Sequence, residues 1–141
     1  TYSFGYSSSG FTDMPMNHKV FLAQFDAIKK LASEGPCVMV GRCADYALSE
    51  YKDCFSVFVH ADTDWRINRL SQKHNKTAKE AKDMINKTDK SRSSYYNYYT
   101  NKKWGAASSY NLCVDSSKLG IDGAAKAIIQ AIEIFDSIKN K

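Results

Sequence analysis

Arg66, Arg69 and Lys73 recur at i, i+3 and i+7, a spacing that lines three cations along one side of a helix. Lys87 and Lys90 then stand one turn apart, with Arg92 near the next turn. Arg42 directly follows the apolar run "CVMVG", and Ser116, Ser117 and Lys118 directly follow "NLCVD". Cations in such places suit phosphate or carboxylate, arginine as a planar fork of donors and lysine as a point charge. Phosphoryl transfer needs them most, because it offers little covalent work and rests on positioning and charge neutralisation. Plainer readings stand beside this one. A basic stripe can be a solvated helix face, Arg42 can close a salt bridge at a strand end, and Asp45 can bind a sugar or base or simply shape a turn.

The segment "DKSRSSYYNYYTNKKWG", residues 89–105, raises a related question. It sets Lys90, Arg92, Lys102 and Lys103 among four tyrosines and Trp104, with Asp89 as its one acid. The charge points to an anionic partner. Tyr95, Tyr96, Tyr98 and Tyr99 meet at helical spacings, and tyrosine buries its ring while keeping its hydroxyl wet, so the rings are expected to pack the segment down. The histidines, His18, His60 and His74, are scattered and read as structural, and no metal site is expected. Asp62 and Asp64 read as a helix start.

The chain has 141 residues, enough for one domain, so 1–141 is read as a single domain. A formal charge of +5 suits nucleotides, nucleic acid or a membrane surface without choosing among them. No apolar run approaches the roughly 20 residues of a membrane span. The four cysteines show neither disulfide nor zinc spacing, which makes a reducing cytoplasm the expected compartment.

Residues 1–16 read as a loop, rich in serine, glycine and tyrosine. From Asn17 the stripe Phe21, Phe25, Ile28, Ala32 predicts a helix that Gly35–Pro36 stops, with Lys29 and Lys30 near its end. Three short apolar runs read as buried strands: "CVMVG" (37–41), "FSVFVHA" (55–61) and "YNLCVDSS" (110–117). Asp62 is the expected N-cap of the helix after the second strand, and "TAKE" at 77–80 has capping-box form. Ile121, Ala125, Ile128, Ile132 and Phe135 mark a closing amphipathic helix. The alternation predicts an α/β fold, a mostly parallel sheet flanked by helices. Ligands of such sheets bind beyond the strand ends, here "GRCAD", "HADTD" and "DSSKLG".

Together and in order, "FGYSSSGFTD", "GPCVMVGRCADYAL", "FSVFVHADTDWRINRL", "KTDKSRSSYYNYYTNKKWG" and "NLCVDSSKLGIDGA" resemble the cytidylate kinase-like proteins of the P-loop nucleoside-monophosphate kinase group. The resemblance covers nearly the whole chain. It implies ATP-dependent phosphoryl transfer to a nucleoside monophosphate, CMP-like, with Mg2+. Arg42 and Asp45 would then belong to the acceptor-monophosphate site. Arg66 would stack on or flank the adenine of ATP, Arg69 would approach its phosphates, and Ser116, Ser117 and Lys118 would form the loop under the adenine. Lys87, Lys90 and Arg92 would sit on a mobile lid, residues 75–105, closing on the phosphates, with the tyrosines as its anchor.

Two departures qualify the resemblance. In the family pattern an aspartate directly follows the arginine of the first strand, whereas here Cys43 intervenes and the acid is Asp45. Family members also begin with a strand and a glycine-rich phosphate loop, and no G-x-x-x-x-G-K-[ST] occurs in these residues. The expectation is a C-terminal part of a longer kinase that lacks the phosphate-loop strand and is inactive alone. The competing readings are a non-catalytic nucleotide- or nucleic-acid-binding module and a tyrosine-faced interaction domain. Membrane association is not expected, nucleic acid is the less favoured partner, and the oligomeric state is open.

Overall fold

The computed structural model describes residues 14–139. Most of the loop expected over 1–16 therefore lies outside the described residues, and helix α1, Met14–Glu34, is already under way at Met14. Contacts divide the chain into two compact units, one up to Glu50 and one from Tyr51 on.

In the first unit the predicted stripe is the packed face of α1. Phe21 and Ile28 are buried, and Phe25 and Ala32 are half-buried. Phe25 stacks at a tilt on Phe21 and on Tyr46, with ring centroids 5.9 and 6.2 Å apart. Tyr46 belongs to the one-turn helix α2, Ala44–Ala47, whose two alanines are buried. The helix α1 runs a turn past Lys29 and Lys30, and the Lys29 ammonium lies 4.8 Å from the centre of the Phe25 ring.

The strand expected at 37–41 does not form. A strand is defined by the neighbour it hydrogen-bonds, and among the described residues nothing pairs with this run. Val38 and Val40 are instead 94% and 90% exposed. Among the described residues the sheet therefore has two strands rather than three.

Both strands belong to the second unit. Strand β1, Val57–His60, pairs in parallel with β2, Leu112–Asp115, in the register Val57 to Leu112 through His60 to Asp115. The Asn111 side-chain carbonyl fixes this register by accepting from both the amide and the hydroxyl of Ser56, each at 2.8 Å. The carboxyl ends of the strands therefore lie side by side, and the segments leaving them emerge at one rim. Helix α3, Thr63–His74, starts there on β1. Helix α5, Ser116–Lys139, starts there on β2 and is broken at Gly120, which adopts φ 69°, a left-handed conformation that glycine takes without a Cβ clash. The polar segment expected as a strand-end loop is thus a helical turn before that break.

Helix α4, Ala78–Thr100, takes up most of the expected lid region in one 23-residue helix. Its C-terminal half is held down as the tyrosine pattern suggests, chiefly through one ring. Tyr96 is buried and stacks 6.0 Å from Tyr110, which stacks 4.9 Å from Phe58, which meets Trp104 edge-on at 5.3 Å. Tyr95 and Tyr99 are half-buried against each other, and Tyr98 is 59% exposed. Gly105 closes this cluster with φ 75°, where an added Cβ would come 3.3 Å from the Phe58 ring. In the closing helix Ala124 is buried while Ile121, Ile129 and Ile132 remain exposed, so its apolar stripe is only partly covered within the described unit.

Candidate functional site

Helix α3 is placed by its cap. The Asp62 carboxylate accepts from the amides of Asp64 and Trp65, satisfying two of the orphan donors at the helix start. The Asp62 amide in turn donates to the Ser117 hydroxyl at 3.1 Å, tying the start of α3 to the turn after β2. Asn75, in the left-handed region at φ 50°, ends α3, and Thr77, two residues later, is the N-cap of α4 in the predicted capping box. There the Thr77 hydroxyl accepts from the Glu80 amide while the Glu80 carboxylate accepts from the Thr77 amide at 2.8 Å. The Thr77 amide first, and then the Thr77 hydroxyl donating at 2.8 Å, hold the Glu80 carboxyl below its ordinary range. The short turn brings the two helices into contact with each other. Ala81 and Ile85 are the buried positions of the half of α4 that packs on α3.

Between the two helices lies a groove of about 300 Å³. Leu70, Met84 and Ile85 supply its apolar lining, Trp65 an aromatic wall, and Arg66, Arg69, Lys73 and Arg92 its charge. Arg66 reaches across to Asp89 with two parallel hydrogen bonds, 2.7 Å from Nη1 and 2.8 Å from Nη2. That pairing holds the guanidinium charged, its pKa raised first by the hydrogen bond to Asp89. The Arg69 guanidinium lies over the Trp65 ring, 5.5 Å from its centre. With Arg66 engaged by Asp89, Arg69, Lys73 and Arg92 beside an aromatic and apolar lining suit a ligand that carries several negative charges and a flat ring.

The structure gathers some of the predicted residues and not others. Arg66, Arg69 and Arg92 line this groove together with Lys73, which spacing alone places only in a basic stripe. Lys87 and Lys90 are exposed on α4 and are not among the lining side chains. The helical repeat explains this, since Arg92 lies about 200° around the axis from Lys90. Ser116, Ser117 and Lys118 stand at the strand-end rim beside the start of α3. The Ser116 hydroxyl donates to the His60 carbonyl at 3.0 Å, and the Asp115 carboxylate caps the start of α5, accepting from the Ser117 amide at 2.9 Å and from the Ser117 hydroxyl, which is the main cause holding that carboxyl below the usual range.

Arg42 and Asp45 belong to the first unit. Gly41, Arg42 and Cys43 have successive positive φ values of 71°, 58° and 55°, so the backbone coils left-handed straight into α2. Cys43 is 4% exposed, and burial, aided by the nearby Asp45 charge, pushes its thiol up to about 12. Trp65, Thr88 and Asp89 are the participants that spacing does not single out. Only the pattern of an acid one turn before Arg92 hints at Asp89.

No three His, Cys, Asp or Glu side chains among the described residues are grouped to hold a metal ion. The groove's charged side chains are cationic and do not fit a resident divalent metal. Among the described residues no helix is long and apolar enough to cross a membrane.

No curated protein matches the sequence. A crystal structure of an uncharacterized protein from Eubacterium ventriosum ATCC 27560 is similar to it, with 33% identity over 83% of this chain and 74% of that one and a TM-score of 0.79. The model of the cytidylate kinase-like family matches residues 1–118. With most of its length inside that match, the chain belongs to the cytidylate kinase-like family.

Proposed function

We propose that this chain serves ATP-dependent phosphoryl transfer to a nucleoside monophosphate, with a CMP-like acceptor, in a P-loop kinase fold whose phosphate-loop strand is not among these residues. Family membership supports a nucleotide-related, kinase-like role, and one observation carries the rest: Arg66, Arg69, Lys73 and Arg92 line a single groove between α3 and α4. In this reading the groove holds the ATP phosphates, with Arg69, Lys73 and Arg92 as the contacting charges. Arg66, engaged by Asp89, keeps α4 seated as the lid. Ser116, Ser117 and Lys118 border the base at the start of α3. Arg42 and Asp45 serve the acceptor, and Lys87 and Lys90 approach the phosphates only when the lid moves. Mg2+ would come with ATP, since the groove's own charged side chains are cations, and would supply neutralisation of the charge that develops in transfer. A cytoplasmic location belongs to the same reading.

The test is a coupled-enzyme assay across CMP, dCMP, UMP and AMP, run beside ATP-binding calorimetry. With no glycine-rich loop to cradle the β- and γ-phosphates, these 141 residues by themselves are expected to bind ATP and transfer nothing. Transfer is expected from a kinase that joins this sequence to such a loop. Failure to bind ATP at all would count against the groove, and turnover by the 141 residues alone would count against the need for the loop.

A further inference from the structure

Resting on the reading of the α3–α4 groove as a polyphosphate site, we propose that Asp89 is the groove's own inhibitor, a built-in carboxylate that a bound polyphosphate must displace from Arg66. Arg66 lines the groove with Arg69, Lys73 and Arg92. Its fork is nonetheless turned to Asp89, with both terminal nitrogens donating, at 2.7 and 2.8 Å. A phosphate asks a guanidinium for the same two parallel donors as a carboxylate does, so ligand and Asp89 compete for one edge of one side chain. Asp89 itself is not among the lining side chains, but Thr88 beside it and Arg92 one turn on both are. The carboxylate therefore stands at the margin of the groove, and a phosphate close enough to reach Arg66 meets a like charge there.

The pair is placed to part. Its two side chains are 31% and 25% exposed, and water that reaches an ion pair weakens it. A ligand held first by Arg69, Lys73 and Arg92 brings several negative charges to Arg66, whereas Asp89 offers one. Any ligand that engages Arg66 then binds with its intrinsic affinity reduced by the cost of opening the pair. Arg66 stands on α3 and Asp89 on α4, so filling the groove also unties the two helices at this point. The alternative is a permanent brace that holds the groove in shape. The two readings differ in sign: losing a brace weakens binding, and losing an inhibitor strengthens it.

The experiment is calorimetric titration of the whole chain with inorganic triphosphate, repeated on Asp89→Asn and Asp89→Glu. Asp89→Asn is expected to bind about fivefold tighter although it is the less stable protein, because the cost of parting a solvent-reached pair is gone. Asp89→Glu restores the carboxylate and is expected to return to within about twofold of the wild-type affinity. A second measurement needs no stable variant at position 89: the carbon-13 signal of the Asp89 carboxyl in the wild-type chain is expected to move as triphosphate saturates the groove, towards its position in Arg66→Gln. Unchanged or weaker binding in Asp89→Asn, or a carboxyl signal that stays in place at saturation, would overturn the inference while leaving the phosphate site standing. Binding of triphosphate by none of the three chains would overturn the site itself.

Discussion

Arg66 and Asp89, 23 residues apart in the chain, close two parallel hydrogen bonds across the α3–α4 seam, at 2.7 and 2.8 Å. The pair is 31% and 25% exposed, and its bidentate geometry sets it above the ordinary surface ion pair. Asp89→Asn is expected to cost about 1 kcal/mol, or roughly 4 °C in Tm. A double-mutant cycle with Arg66→Ala should return most of that as coupling. Additive losses would mean that the two side chains do not support each other.

The capping box at the start of α4 gives a second expectation. Thr77→Ala removes the acceptor for the Glu80 amide and should destabilise by about 1 kcal/mol, with faster hydrogen exchange confined to the first turn of α4. Unchanged exchange at residues 78–81 would show that the cap carries no weight there.

Acid should loosen the second unit in a defined window. The carboxyls of Glu80 and Asp115 are both depressed, the first chiefly by the Thr77 amide and the second chiefly by the Ser117 hydroxyl. A depressed folded pKa means that the unfolded chain binds more protons. The stabilisation is therefore full above the unfolded values near 4 and is lost as pH falls through the folded ones. Urea midpoints should fall from pH 5 to pH 3, and Asp115→Asn should flatten that slope. A slope unaltered by both Asp115→Asn and Glu80→Gln would assign the acid sensitivity elsewhere.

Much of this arrangement is legible in residues and spacing. The stripe of α1, the Asp62 cap and the Thr77–Glu80 box depend on neighbours within a few positions, and they stand where those neighbours put them; the two strands show as apolar runs, while their pairing joins residues far apart in the chain. The strand expected at 37–41 fails for the opposite reason. Cys37–Val38–Met39–Val40 is apolar enough for a buried strand, but burial needs a partner edge that an apolar run cannot specify, and both valines are exposed. The same limit hides Asp89, whose partner is six helical turns away in sequence terms. Lys90 shows a subtler limit: proximity to Arg92 in sequence puts the two together, and the helical angle separates them.

Thiol chemistry should distinguish the cysteines. Cys37 is exposed, whereas Cys43 is buried with its thiol pushed up to about 12, so at pH 8 it offers almost no thiolate. The fast phase of a thiol titration should vanish in Cys37→Ser and persist in Cys43→Ser. The reverse pattern would mean that the left-handed turn at 41–43 opens readily.

In an active kinase bearing this sequence, Arg92→Ala should slow turnover far more than it weakens ATP binding, because a lid charge acts on the transferring phosphoryl group. Steady-state kinetics beside equilibrium binding separates the two. Equal losses would make Arg92 an ordinary ground-state contact.

The groove itself is tested most directly by backbone amide shifts recorded while the chain is titrated with ATP. The largest changes are expected along Trp65–Lys73 and Thr88–Arg92, on the two helices that face each other. Changes centred on other elements, with those two stretches silent, would contradict the placement of the triphosphate between α3 and α4.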